Sequence, residues 1–249
     1  MQRYFVHLSF KGTSYHGWQI QPNSISVQEV LEKAFSTVIQ ETIEVTGAGR
    51  TDTGVHALSY VLHFDVPNQL ADLPKLIYSL NSFLPSDIAI REIKPVPSDA
   101  HARFSAISRT YQYYISLVKD PFQVESAYYY RGNLDYEKMH RAAQILLGYE
   151  DFTSFSRLHT DVKTNHCTIY HAGWQKVGNQ LVFTIKANRF LRNMVRAIVG
   201  TLLDVGKGKI GFDALKEIIE KQDRGVAGAS APAHGLYLTE IEYPGTLGF

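Results

Sequence analysis

The sequence has a single cysteine, Cys167, among 249 residues. No disulfide can close within the chain and no cysteine-based zinc site can be built; a reducing, cytoplasmic setting is expected. Net charge is lacking too, since 25 Lys and Arg against 24 Asp and Glu leave +1. Bulk electrostatics therefore announce no polyanion, and a nucleic-acid surface would need its basic residues gathered on one face. Long hydrophobic runs are missing. The strongest candidate, Ala197 to Leu203, falls far short of the roughly 18 residues of a spanning helix. The beginning, Met1-Gln2-Arg3-Tyr4-Phe5-Val6-His7, alternates and is broken by charge, unlike a signal peptide. No membrane association is expected. The ten histidines show no metal-ligand spacing, and nothing suggests a Ser-His-Asp arrangement.

What is present suits a globular core: 45% hydrophobic residues, 20% charged and 12% aromatic. Arg3 to Phe10 reads as a strand with Tyr4, Val6, Leu8 and Phe10 on one face. Ser26-Val27-Gln28-Glu29 is a capping box that opens a helix carrying Val27, Val30, Leu31, Ala34, Phe35 and Val38. A short strand at Thr42–Thr46, a glycine-punctuated loop at Gly47–Gly54 and a strand at Leu58–Val66 follow. Asp72 opens a helix with Pro74 in its first turn, and Asp87–Lys94 is a strand. This order is the split βαβ pattern. It recurs as a strand at Arg109–Val118, a helix at Asp135–Leu147 closed by Gly148, and strands at His166–Val177 and Gln180–Ala187 joined at Gly178-Asn179. Helices at Arg189–Val205 and Phe212–Lys221 and a strand at Leu236–Tyr243 complete it. The reading is α+β with a largely antiparallel sheet, in two halves, 1–102 and 103–249. The stretch 119–132 is turn-like and aromatic without a clear assignment.

Three segments could carry chemistry. Gly47-Ala48-Gly49-Arg50-Thr51-Asp52-Thr53-Gly54 is neither a dinucleotide fingerprint nor a P-loop, because the spacing and the following strand are wrong. It places Arg50 and Asp52 two apart, on one face if extended; a plain alternative is an Asx turn at Asp52 with a solvated Arg50. Arg109, Tyr111 and Tyr113 share a strand face. There a Tyr could stack on a base or simply be a half-buried sheet residue. Arg189, Arg192 and Arg196, at i, i+3 and i+7 of the expected helix, form either a phosphate-binding stripe or a solvated face. Cys167 reads as a small core residue.

Together these segments resemble the tRNA pseudouridine synthase A family nearly end to end. The resemblance runs through Tyr15-His16-Gly17-Trp18-Gln19, Ser26-Val27-Gln28, Gly49 to Ala57, His63-Phe64-Asp65, Asn81 to Pro85 and His101 to Ala106. It continues through Asp151 to Phe155, Asn193 to Arg196, Gly200 to Leu203 and Gly235 to Leu238. One departure is Thr53, where the family often has Ala; tuning of the loop is the expected effect. The resemblance implies the pseudouridine synthase fold, with two halves meeting at a central cleft, and a homodimer. It implies isomerisation of uridine at tRNA positions 38, 39 and 40 in the anticodon stem-loop, with no cofactor, since nothing is oxidised. Asp52 would be the catalytic carboxylate, kept charged by Arg196. Arg50 would hold the target base out of the helix, Tyr111 would stack on it, and Leu236 would pack beside it. Arg189 and Arg192, which the resemblance does not assign, are expected to contact phosphate. Two rivals are a non-catalytic RNA-binding module, which lacks its aromatic signature here, and a phosphate-holding nucleotide enzyme, whose loop would be ill served by a central acid.

Overall fold

The computed structural model describes residues 1–157 and 164–247. They form two compact units, Met1–Ile107 with Leu238–Phe249, and Ser108–Tyr237. The expected boundary after 102 thus lies inside the first unit, to which the last strand also returns.

In the first unit, β1 (Gln2–Phe10), α1 (Val27–Ile39), β2 (Thr46–Gly47), β3 (His56–Val66), α2 (Leu73–Phe83) and β4 (Ile88–Val96) follow in sequence. β1 lies between β4 and β3, antiparallel to both, and β2 is antiparallel to β3. This is the strand arrangement of a split βαβ unit. The alternation read in β1 holds: Tyr4, Val6, Leu8 and Phe10 are all buried. Tyr4 stacks on Phe64, its cross-strand partner, at 5.5 Å, and Phe35 of α1 meets Phe64 at 5.0 Å. Each large apolar side chain so buried contributes about 1.5–3 kcal/mol. The Ser26 hydroxyl accepts from the Glu29 amide, as the capping box requires. Asp72 likewise accepts from Lys75 N and caps α2. The strand expected at Thr42–Thr46 is reduced to the short β2, which starts only at Thr46. Amides before it are taken by α1 side chains instead: Ile43 N donates to Ser36 Oγ at 2.9 Å and Val45 N to Glu32 Oε1 at 3.1 Å.

The second unit repeats the plan with β5 (Ser108–Ser116), β6 (Tyr128–Tyr129), α3 (Tyr136–Ile145), β7 (Ile169–Val177), β8 (Gln180–Ala187), α4 (Met194–Gly206) and α5 (Phe212–Glu220). β8 lies between β5 and β7, antiparallel to both. Gly178, at φ +57°, makes the turn between β7 and β8. The aromatic stretch after 118 resolves into a 3-10 turn at Pro121–Gln123 and the short β6, parallel to β5. Gly148 is not left-handed; α3 runs into a 3-10 turn, Leu146–Gly148. The final strand, β9 (Leu236–Glu242), lies beside β3 of the first unit. The fold is mixed α+β with mainly antiparallel pairing. No helix among the described residues is long and apolar enough to cross a membrane.

The largest departure from the sequence reading concerns α4. It begins at Met194, not Arg189, so Arg189 and Arg192 lie outside it and no three-arginine helical face exists. Asn193 sits in the left-handed region at φ +66° and blocks any extension backwards. Eleven of the thirteen residues of α4 are buried, Arg196 and Asp204 being the exceptions. It is a core helix rather than an amphipathic surface one.

Among the buried polar groups, His63 has a consequence for stability. Burial, then the charges of Arg3 and His101, push its pKa down to about 4 from 6.5, against a smaller opposing effect of Asp65. The folded chain therefore resists a proton that the unfolded chain accepts below pH 6.5. Stability should be complete above 6.5 and decline as pH falls towards 4. Urea midpoints measured across that interval should show the decline, and His63→Asn should flatten it.

Candidate active site

Asp52 stands in a loop, residues 48–55, that is clamped between two other segments of the first unit. Backbone bonds tie it to residues 12–18: Trp18 N donates to the Thr51 carbonyl at 3.3 Å, and Gly54 N to the Tyr15 carbonyl at 3.3 Å. Gly12 N donates to His56 Nδ1 at 2.9 Å. On the other side, Ala48 N donates to the Val61 carbonyl, and the Tyr60 hydroxyl donates to the Gly49 carbonyl. The turn carrying Asp52 is closed by main chain, Val55 N donating to the Asp52 carbonyl at 3.1 Å. Asp52 is half-buried, and Arg50 is exposed on the same loop. The side chain of Thr53 is exposed in the turn, so its departure from the family pattern adds its hydroxyl at the loop surface.

The glycines divide by role. Gly54 adopts φ +77°. Gly47 lies against Trp18 and Tyr60, whose rings stack at 4.2 Å. Gly49 does neither, since a Cβ there would meet nothing within 4 Å. Outside the loop, Gly17 has φ +87°, and a Cβ on it would run into the Thr51 carbonyl oxygen. Tyr15 anchors this segment through its hydroxyl, which donates to Asp87 Oδ1 at 2.6 Å. Burial, and then that bond, raise its pKa well above the ordinary phenol range. The role of 12–18 as the clamp was not readable from residue types. Its signals were Gly12 and Gly17, the second inside a stretch that carries the family resemblance.

In the second unit, Tyr111 lies on β5 opposite Ile185, half-buried, with Phe190 edge-on at 5.1 Å. Its strand-face neighbour Tyr113 is fully buried, and its hydroxyl donates to the Pro232 carbonyl at 2.8 Å. Tyr113 thus takes the structural reading open to both. Arg196 is the third residue of α4, in the first turn, where the helix dipole disfavours a cation. Its Nε donates to the Ala231 carbonyl at 2.8 Å, and Ala231 N donates to the Arg196 carbonyl at 2.9 Å. A strap, residues 228–236, is thereby tied across α4. Asn193 Nδ2 donates to Ser230 Oγ at 2.6 Å, and Gly228 N to Thr201 Oγ1 at 3.0 Å. A Cβ on Gly200 would strike the Ala229 carbonyl. The strap delivers Leu236, which is buried at the start of β9. Arg196 and Leu236 are thus joined through one segment. Arg189 and Arg192 are not part of this arrangement, although Arg192 contributes a backbone carbonyl to Arg157 N.

Gly17→Ala should lower the unfolding free energy by about 1–3 kcal/mol through forced left-handed backbone and the Thr51 contact. Gly49→Ala should stay within about 0.5 kcal/mol. Chemical denaturation of the two variants distinguishes them; equal costs would contradict the clamp.

The sequence profile described as tRNA pseudouridine synthase matches residues 8–105 and 142–244 of this chain. Among curated proteins, the chain is 52% identical over 244 residues to the tRNA pseudouridine synthase A of Parabacteroides distasonis, covering 98% of this chain and 97% of the relative. It is 55% identical to that of Bacteroides thetaiotaomicron, covering 98% and 91%. With that of Bacillus subtilis the identity is 41%, covering 95% and 97%. The chain belongs to the tRNA pseudouridine synthase family, isomerases that convert uridine to pseudouridine.

Proposed function

We propose that this chain isomerises uridine to pseudouridine in tRNA at positions 38, 39 and 40 of the anticodon stem-loop, with Asp52 as the catalytic carboxylate. The observation that carries the reading is the clamped loop: an acid held half-buried by main-chain bonds to 12–18, on a turn that backbone closes. A carboxylate so fixed is pre-positioned to act on a sugar, as nucleophile or as base. The reaction breaks the bond from C1′ to N1, turns the base, and forms a bond from C1′ to C5, while the C5 proton leaves and N1 takes up a proton. Electrons balance without an oxidant, so the reading calls for no cofactor.

The remaining roles follow the family pattern. Arg50, exposed beside Asp52, holds the target base out of its stack, at a cost of a few kcal/mol that binding must offset. Tyr111 stacks on the extruded base. Arg196, a cation kept in the first turn of a buried helix against the dipole, binds the substrate in that nucleotide's vicinity. Leu236 packs beside the base. The chain works in the cytoplasm as a homodimer whose two copies handle one tRNA.

Transcripts carrying 5-tritiated uridine at a single position test the reading. Tritium should be released from 38, 39 and 40, and not from uridines elsewhere in the same tRNA. Release from other positions, or from none, would overturn the assignment.

A further inference from the structure

Residues 101–106 form a turn on the first unit that the roles above leave unused, and much of the surrounding structure serves to hold it still. Arg3 forks onto Asp65, with Nε to Oδ1 at 2.8 Å and Nη2 to Oδ2 at 2.7 Å, and its Nη1 donates to the Ala100 carbonyl at 2.8 Å. His63 Nδ1 accepts from Ala102 N at 3.2 Å, and the Tyr243 hydroxyl donates to the Ala102 carbonyl. Within the turn, His101 Nδ1 accepts from Arg103 N at 3.0 Å. Ser105 Oγ accepts from His101 N at 2.9 Å, and Ser105 N donates back to the His101 carbonyl at 2.9 Å. The His63 and His101 rings meet edge-on at 4.7 Å. An amide can only donate, so both Nδ1 atoms are acceptors and both rings are held as one tautomer.

This framework presents two side chains outward. Phe104 is 74% exposed, and Arg103 is exposed with its guanidinium carbon 5.4 Å from the Phe104 ring centroid. A large aromatic left in water on a pre-ordered turn, with a cation beside it, matches the chemistry of a nucleobase and its phosphate. Ordering the backbone in advance removes an entropy cost that binding would otherwise carry.

We infer that Arg103 and Phe104 form an additional RNA contact, Phe104 stacking on an unpaired base of the substrate and Arg103 meeting the adjacent phosphate. The inference rests on the reading that the substrate is RNA. Full-length Phe104→Ala should raise KM and the Kd for tRNA by about tenfold or more, with kcat, melting temperature and solution mass unchanged. Phe104→Tyr should restore both. Arg103→Ala should weaken binding and reduce the salt slope of log Kd by about one. Unchanged KM and Kd for Phe104→Ala in an active enzyme would overturn the inference, as would an altered solution mass, which would assign the turn to contact between copies. If the wild type binds tRNA but releases no tritium, the catalytic proposal fails, and the Kd comparison still decides this one.

Discussion

The structure of the first unit depends on one close approach: main chain of residues 12–18 lying directly against the loop that bears Asp52. Two glycines without side chains make the approach possible, Gly12 against Val55 and Gly17 against Thr51. Trp18 and Tyr60 then seal it as a stacked pair under Gly47. The same constraint explains the burial of His56. It sits at 1% exposure because its ring nitrogen satisfies Gly12 N, an amide that the tight packing would otherwise strand. An acid carried on such a loop is held in place by main-chain bonds on both sides.

In the second unit the feature that needs explaining is a cation on a core helix. A buried helix tolerates few charged residues, and α4 carries only Arg196 and Asp204. Arg196 stands where the dipole works against it. The strap at 228–236 offsets this by supplying a carbonyl to Nε and by covering the helix where Gly200 leaves room.

Much of this was legible in the sequence because it rests on local chemistry. Ser26 capping α1, Asp72 capping α2, the alternation of β1 and the bounds of β8 each follow from residues within a few positions. Where the reading failed, a distant or competing partner decided the outcome. Thr42–Thr46 has strand-like residues, but Ser36 and Glu32 claim its amides for α1. Arg189–Asn193 has helical periodicity, but the left-handed Asn193, with its side chain bonded to Ser230, starts the helix later. Of the named site residues, Asp52 and Arg50 fall on the loop as read. Of the clamp behind them only Gly12 and Gly17 could be seen, because its bonds run through main-chain atoms that every residue shares.

Under the proposed function the loop is scaffold and the Asp52 carboxylate is the reacting group. Replacing only the chemistry, by Asp52→Asn, tests it most directly. The variant should bind tRNA as tightly as the parent while its tritium release falls by several orders of magnitude. Turnover at the parental rate would contradict the account.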